Sequence, residues 1–371
     1  MTGLKVALLH DWLTGYRGGE KVLEVICELY PQAPLYTLVH VKGSVPPVIE
    51  NRPIHTSFLQ HMPAAKSKYR HYLPLFPAAA ETMGIKGYDL IISTSHAVAK
   101  SVRKHGALHW CFIHSPMRYV WDRFDDYFGA ELVGRLPSKL FFRPIANALR
   151  AYDRATSGRV DHFAANSTFV AERVRKFYGR EAEVLFAPTD IGRFGRLERK
   201  PEDFYLFFSA LVPYKKADHA VRACAELGRK LVVLGKGPEL AKLKRLANPK
   251  WVQFLETPSD ELVNGHYERA RALLYPGIED LGIVPIEASA AGLPVIAFGE
   301  GGILDTQTAA TAVLYKPQTV EGLKQAILDF ESRSQTFSLE AMKQQAAKFS
   351  KERFKTRVED SIARFLATAR A

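Results

Sequence analysis

The sequence predicts an α/β protein built from two Rossmann-like domains in tandem. Its 371 residues exceed what one core usually supports, so two domains of ordinary size are the default. Short apolar runs alternate with segments of helical spacing, the pattern of a parallel sheet covered on both faces. The alternation comes in two series, parted by Ile191 to Asp203, a stretch rich in Arg, Lys and Gly that ends in Pro201-Glu202-Asp203 and has no apolar periodicity. The hinge is placed there.

The first series predicts strands at Val6–Leu9, Tyr36–Val39, Leu90–Ile92, Trp110–Ile113, Phe163–Ala165 and Val184–Phe186. The second predicts them at Tyr205–Phe208, Leu231–Leu234, Val252–Leu255, Ala272–Tyr275, Val295–Phe298 and Ala312–Tyr315. A helix is expected from Glu20, behind Gly18-Gly19, and another from about Ile283 to Gly292. The last stretch, Leu339 to Leu366, keeps helical spacing through Met342, Ala346, Phe349, Phe354, Val358, Ile362 and Phe365. Pattern alone leaves open whether it caps the second domain or returns to the first.

With 47% hydrophobic and 24% charged residues and no low-complexity tract, the chain reads as folded throughout. Cys27, Cys111 and Cys224 lie far apart in apolar surroundings without the spacing of a zinc site, which suits free buried thiols in a reducing compartment. Neither a signal-type segment nor an apolar run of roughly 18 residues is present, so a cytoplasmic protein that does not cross a membrane is expected. Of the formal net charge of +12, residues 1–200 hold +10. Such a field suits an anionic partner. No nucleic-acid module accompanies it, which favours a membrane surface over nucleic acid.

In open α/β sheets ligands gather beyond the carboxyl ends of the strands, so the loops that follow strands are the candidate sites. After the first strand comes Thr14-Gly15-Tyr16-Arg17-Gly18-Gly19. Paired glycines ahead of a helix let backbone approach a phosphate or sugar, although alone they are an ordinary turn. His114 ends the strand Trp110–Ile113; taken alone, it reads as a packed histidine. Lys215 follows the first strand of the second series and can meet charge on a leaving group, or simply open a helix beside Lys216. Glu279 stands in the loop after Pro276-Gly277, and Glu287 about one turn inside the helix that follows. The backbone N–H groups of Leu281, Gly282 and Ile283 would open that helix. Gly301-Gly302 reads as a structural turn, and Asp122, Asp125 and Asp126 as a solvated acidic face without a metal. The mixed basic and apolar segment Arg135 to Arg150 suits either an anionic interface or a helix over the core, and Lys66 to Arg70 an auxiliary basic loop.

The run from Glu279 to Glu287 resembles the E-x7-E motif of the retaining glycosyltransferases of family 4, which have the GT-B fold. The likeness extends through His10-Asp11-Trp12 to Val22, His114-Ser115-Pro116 to Asp122, Val160 to Ser167, Leu211 to Lys216, and Gly299 to Gly302. It is strongest to bacterial mannosyltransferases of O-antigen and surface-polysaccharide assembly. The resemblance implies two Rossmann-like domains facing across a cleft: an acceptor domain over 1–195, a nucleotide-sugar domain over 200–346, and a crossover helix over 347–371 packing on the first. It implies catalytic roles for Glu279, His114 and Lys215. Donor binding falls to Gly18, Gly19, Lys215, Leu281, Gly282, Ile283 and Glu287, and acceptor binding to Tyr16, Arg17, Arg118 and Tyr119. The expected donor is a nucleotide sugar, GDP-mannose, with no metal or other cofactor. The expected acceptor is a lipid-linked saccharide or lipopolysaccharide at the inner leaflet of the cytoplasmic membrane.

Three positions depart from the family pattern. Ala210 stands where an arginine is usual, five residues before Lys215; Leu281 replaces a phenylalanine, and Asp305 a glutamate. The first removes one of two cations. A UDP-sugar transferase, an epimerase, and a non-catalytic nucleotide-binding scaffold therefore stand as alternatives.

Overall fold

The computed structural model describes residues 3–124, 138–333 and 337–370. It divides into two compact units, residues 1–187 with 354–371, and residues 188–353. In the first unit β1 (Val6–His10), β2 (Leu35–Thr37), β3 (Ile54–Thr56), β4 (Leu90–Ser95), β5 (Leu108–Ile113), β6 (His162–Ala165) and β7 (Glu183–Val184) form one sheet in the order β3-β2-β1-β4-β5-β6-β7, with every paired neighbour parallel. The central strands are buried on both faces, which is why they read as unbroken apolar runs.

Helix α1 (Gly18–Leu29) follows β1, α2 (Ser138–Thr156) and α3 (Thr168–Tyr178) flank β6, and α1 starts two residues before the expected Glu20. Arg17 is its N-cap, and the Glu20 carboxylate accepts the Arg17 backbone N–H at 2.9 Å. In α2, Ala146 and Leu149 are buried in the core and Phe142, Ile145 and Tyr152 pack against it. From Phe142 onward the apolar residues of this segment thus pack on the protein's own core. Arg135, Leu136 and Pro137 of the same segment, like Asp125 and Asp126, lie outside the described residues.

The second unit carries β8 (Tyr205–Phe208), β9 (Leu231–Leu234), β10 (Val252–Leu255), β11 (Leu273–Tyr275), β12 (Val295–Phe298) and β13 (Ala312–Tyr315), in the order β10-β9-β8-β11-β12-β13 and again parallel. Helices α4 (Ala217–Leu227), α5 (Asp260–Arg269), α6 (Ile283–Ala290), α7 (Val320–Arg333) and α8 (Leu339–Ala347) complete it. Both sheets reverse their order beside the first strand, at β1/β4 and at β8/β11. Those are the positions where such sheets open a crevice.

Three sequence expectations shift. Ile54–Thr56 is a strand the pattern missed. The division between units falls at Ala187/Pro188, not within Ile191–Asp203, because that segment is bonded into the second unit: the Arg199 guanidinium donates to the carbonyls of Tyr267, Glu268 and Ala270, and the backbone N–H of Lys200 donates to Glu268. The stretch from Leu339 is two helices, α8 and α9 (Lys351–Arg370), and the return to the first unit comes at Phe354 instead of 347. Helix α9 docks on β5 to β7 through Phe354 against Phe112 and through the Trp110 indole N–H, which donates to Ser361 at 3.1 Å. No described helix is long and apolar enough to cross a membrane. All three cysteines are free and buried, and burial pushes their thiols up to about 12.

Candidate active site

At the sheet reversal of the first unit, β1, β4 and β5 each deliver an imidazole at or just past their carboxyl ends: His10, His96 and His114. Asp11 sets their frame. Its buried carboxylate accepts the backbone N–H groups of His96, Ala97, Val98 and Ala99 at 2.6 to 2.9 Å, and the His96 ring lies 3.3 Å away. The His10 Nδ1 bonds the Thr94 hydroxyl at 2.6 Å, and its Nε2 lies 3.7 Å from Glu20. Burial pushes the Glu20 carboxyl up, but His10 and the backbone N–H groups of Glu20 and Arg17 outweigh it and hold the group below 4.5.

Gly19 lies against two of these rings. A Cβ there would stand 3.6 Å from His10 Cε1 and 3.7 Å from His114 Nε2. The glycine loop and His114, 95 positions apart in sequence, therefore meet, as the topology of a reversed sheet requires. Burial, and then the neighbouring His96, His10 and Arg118, hold His114 well below 6.5, so its ring is neutral at physiological pH. Among the described residues none offers its Nε2 a hydrogen bond. A neutral imidazole held like this is able to bond a hydroxyl.

Tyr16 and Arg17 are exposed at the mouth of the glycine loop, with the Tyr16 hydroxyl bonded to Glu24; Arg118 and Tyr119 are half-buried in the short helix that follows His114. One residue escaped the sequence reading. Arg173, buried in α3, donates to Ser115 Oγ at 2.8 Å and to Asp122 Oδ1 at 2.6 Å, fastening the turn after His114. Asp122 is exposed, as a solvated face requires, and is also an ion-pair partner of Arg173.

In the second unit Lys215 and Glu279 meet at the β8/β11 reversal. Their side chains form a partly buried ion pair, and the Tyr275 hydroxyl donates to the same carboxylate. The loop that holds Glu279 is tightly seated: a Cβ on Gly301 would fall 2.7 Å from the Glu279 carbonyl, and one on Gly302 2.2 Å from the Asp280 carbonyl. Gly282, at φ +88°, then turns the chain into α6 through the left-handed region that favours glycine. Leu281 is buried, and Ile283 opens the helix, whose first N–H groups lack intrahelical partners. Glu287 is buried one turn on, where it accepts the Tyr267 hydroxyl at 3.4 Å. Lys215 and Glu279 are thus brought together, whereas Glu287 is anchored on a different tyrosine. Ala210 is exposed in the loop after β8, and Asp305 sits in the helical turn after Gly302.

This arrangement, two reversed parallel sheets each presenting charged or imidazole groups at their carboxyl ends, defines a GT-B protein. Residues 189–349 match the family model described as glycosyl transferases group 1. Among curated proteins, the GDP-mannose-dependent alpha-(1-6)-phosphatidylinositol monomannoside mannosyltransferase of Mycobacterium tuberculosis is 29% identical over 196 residues, 44% of this chain and 50% of that protein. The chain spans about half the length, or less, of the curated relatives it matches. Sucrose-phosphate synthase of Thermosynechococcus elongatus has a similar structure, with a TM-score of 0.72 at 17% identity over 98% of this chain and 99% of that one. So has Anabaena Alr3699/HepE in complex with UDP, with a TM-score of 0.70 at 14% identity over 97% of this chain and 100% of that one. At these identities the likeness speaks for the fold.

Proposed function

We propose that the protein is a retaining glycosyltransferase that moves a hexose, mannose from GDP-mannose, onto a lipid-linked saccharide or lipopolysaccharide acceptor at the inner face of the cytoplasmic membrane. The observation that carries this reading is the Lys215–Glu279 pair at the β8/β11 reversal, with Glu287 one turn inside the helix behind it. The family of residues 189–349 and the GDP-mannose dependence in the name of the mycobacterial relative support it.

In this reading Glu287 accepts the ribose hydroxyls, and Lys215, the N-terminal groups at Leu281 to Ile283 and the Gly18-Gly19 loop receive the diphosphate without a metal. Glu279 and His114 bond the sugar hydroxyls. As the C1–O bond to the diphosphate breaks, charge moves onto the departing phosphate and the sugar becomes oxocarbenium-like. The acceptor oxygen attacks the same face and its proton passes to the leaving phosphate. Tyr16, Arg17, Arg118 and Tyr119 border the acceptor. Peripheral membrane attachment draws support from the basic first 200 residues and from exposed Lys66, Lys68 and Arg70, in a stretch that also exposes Phe58 and Leu75.

Calorimetric titration of GDP, UDP and ADP, with GDP-mannose alongside, into the wild type and Glu287→Ala tests the assignment. GDP binding that the variant loses upholds it. The exposed Ala210 favours a second reading, a nucleotide-binding scaffold, and tight nucleotide binding without turnover on any acceptor decides for that.

A further inference from the structure

We infer that Lys236 supplies the second positive charge at the diphosphate position, in place of the arginine missing at residue 210. The inference rests on the nucleotide-sugar reading of the second unit and assigns a residue to it.

The loops that leave β8 and β9 lie side by side, one residue against the next. The Ser209 N–H donates to the Leu234 carbonyl at 3.2 Å, and the Leu211 N–H to the Lys236 carbonyl at 3.0 Å. Between those two bonds Ala210 stands opposite the turn Gly235-Lys236-Gly237. Both glycines are dictated by contact: a Cβ on Gly235 would fall 2.0 Å from the Ser209 carbonyl oxygen, and one on Gly237 2.3 Å from that of Leu211. The only side chain that this three-residue turn carries is therefore the lysine, and it is exposed.

Ala210 is exposed on the facing loop, so the edge that an arginine would occupy is open. A flexible four-carbon stem ending in an ammonium can reach across it. Among the described residues no carboxylate pairs with Lys236, and Glu239, the next acid along the loop, is engaged by Lys242 at 3.0 Å. Lys215, by contrast, is already bound to Glu279. Lys216 is half-buried at φ +54°, where it opens α4. Lys236 is thus the cation held ready at the carboxyl end of β9, beside the position the family pattern leaves empty.

The test compares wild type, Lys236→Ala, a Lys216→Ala control, and the double variant Ala210→Arg/Lys236→Ala. Each is titrated calorimetrically with whichever of GDP, UDP or ADP the wild type prefers, and with the matching monophosphate. Lys236→Ala is expected to weaken diphosphate binding by about ten- to a hundredfold, the range of a charge-assisted bond, with the monophosphate changed less than about threefold. Ala210→Arg should restore most of the loss. Equal loss for both nucleotides, no loss, or a loss that Ala210→Arg leaves in place would each overturn the assignment to Lys236 alone. Wild-type protein that binds no nucleoside diphosphate would overturn the functional reading and this inference with it. Because Lys236 is exposed, an unchanged melting temperature verifies that the variants are folded.

Discussion

Ser361, in the last helix, donates a 2.6 Å hydrogen bond to Glu183, 178 positions earlier in the chain, and Arg364 reaches the other oxygen of that carboxylate at 2.7 Å. His162 approaches it at 3.1 Å. This one acid therefore joins β6, β7 and α9.

Burial pushes the Glu183 carboxyl up, but His162, Ser361 and Arg364 outweigh it and hold the group at about 2. With the folded value depressed below the ordinary 4.5, the ionised carboxylate stabilises the fold fully above that pH, and the contribution fades as pH falls from 4.5 toward 2. Hydrogen exchange along α9 should accelerate over that window. Glu183→Gln should lower the melting temperature at pH 7 and flatten its acid dependence; an unaltered acid slope would show that the carboxylate does not secure the helix.

A second prediction concerns Lys100, which is 1% exposed and forms an ion pair at 3.0 Å with the fully buried Asp153. The Trp121 indole and the Tyr178 hydroxyl donate to the other Asp153 oxygen at 2.8 and 2.7 Å. Removing one partner strands the other charge in the interior. Asp153→Ala is expected to cost about 3–5 kcal/mol in urea unfolding, and Lys100→Met/Asp153→Ala less than the two single losses combined.

Gly302 offers a third. Its backbone is helical, so only space forbids a side chain there. Gly302→Ala must push the Asp280–Leu281 backbone aside, at a cost of about 1–3 kcal/mol. Nucleotide affinity should fall with it while the circular dichroism spectrum is kept. Retention of wild-type affinity would mean that the Glu279–Gly282 loop plays no part in binding.

The fourth rests on His114 being neutral. Ring NMR should find it unprotonated down to pH 6. Since the unfolded chain takes up the proton near 6.5 and the native protein does not, this group erodes stability as pH drops below that value. His114→Asn should lessen the loss. In turnover of the sugar donor, His114→Ala should fall about a hundredfold and His114→Asn, which keeps a hydrogen-bonding group, by less. Equal loss in both would argue for acid–base chemistry.

Strands buried on both faces were legible because nothing polar interrupts them, as in Leu90–Ile92 and Leu231–Leu234. Ile54-His55-Thr56 was not, since a three-residue edge strand with an exposed histidine carries no such run. Phe349 misled in the opposite way: it is buried and keeps the helical spacing, yet it lies in the break between α8 and α9. Of the site, the glycines, His114 and the two glutamates are visible as motifs next to strands. The Lys215–Glu279 pair is not, because strand order and not sequence distance brings β8 beside β11. Arg173 gave no signal at all, as a helix arginine looks solvated until its partners are known.

The chain leaves the first unit after Ala187 and rejoins it at Phe354, which makes the second unit an insertion. The outer unit is therefore complete only after the whole of the inner one has been synthesised. The inner unit can complete its sheet while Trp110, Phe112 and His162 of the outer one still wait for Ser361, Phe354 and Phe365. Until α9 is made, the outer sheet lacks the helix that closes over β5 and β6.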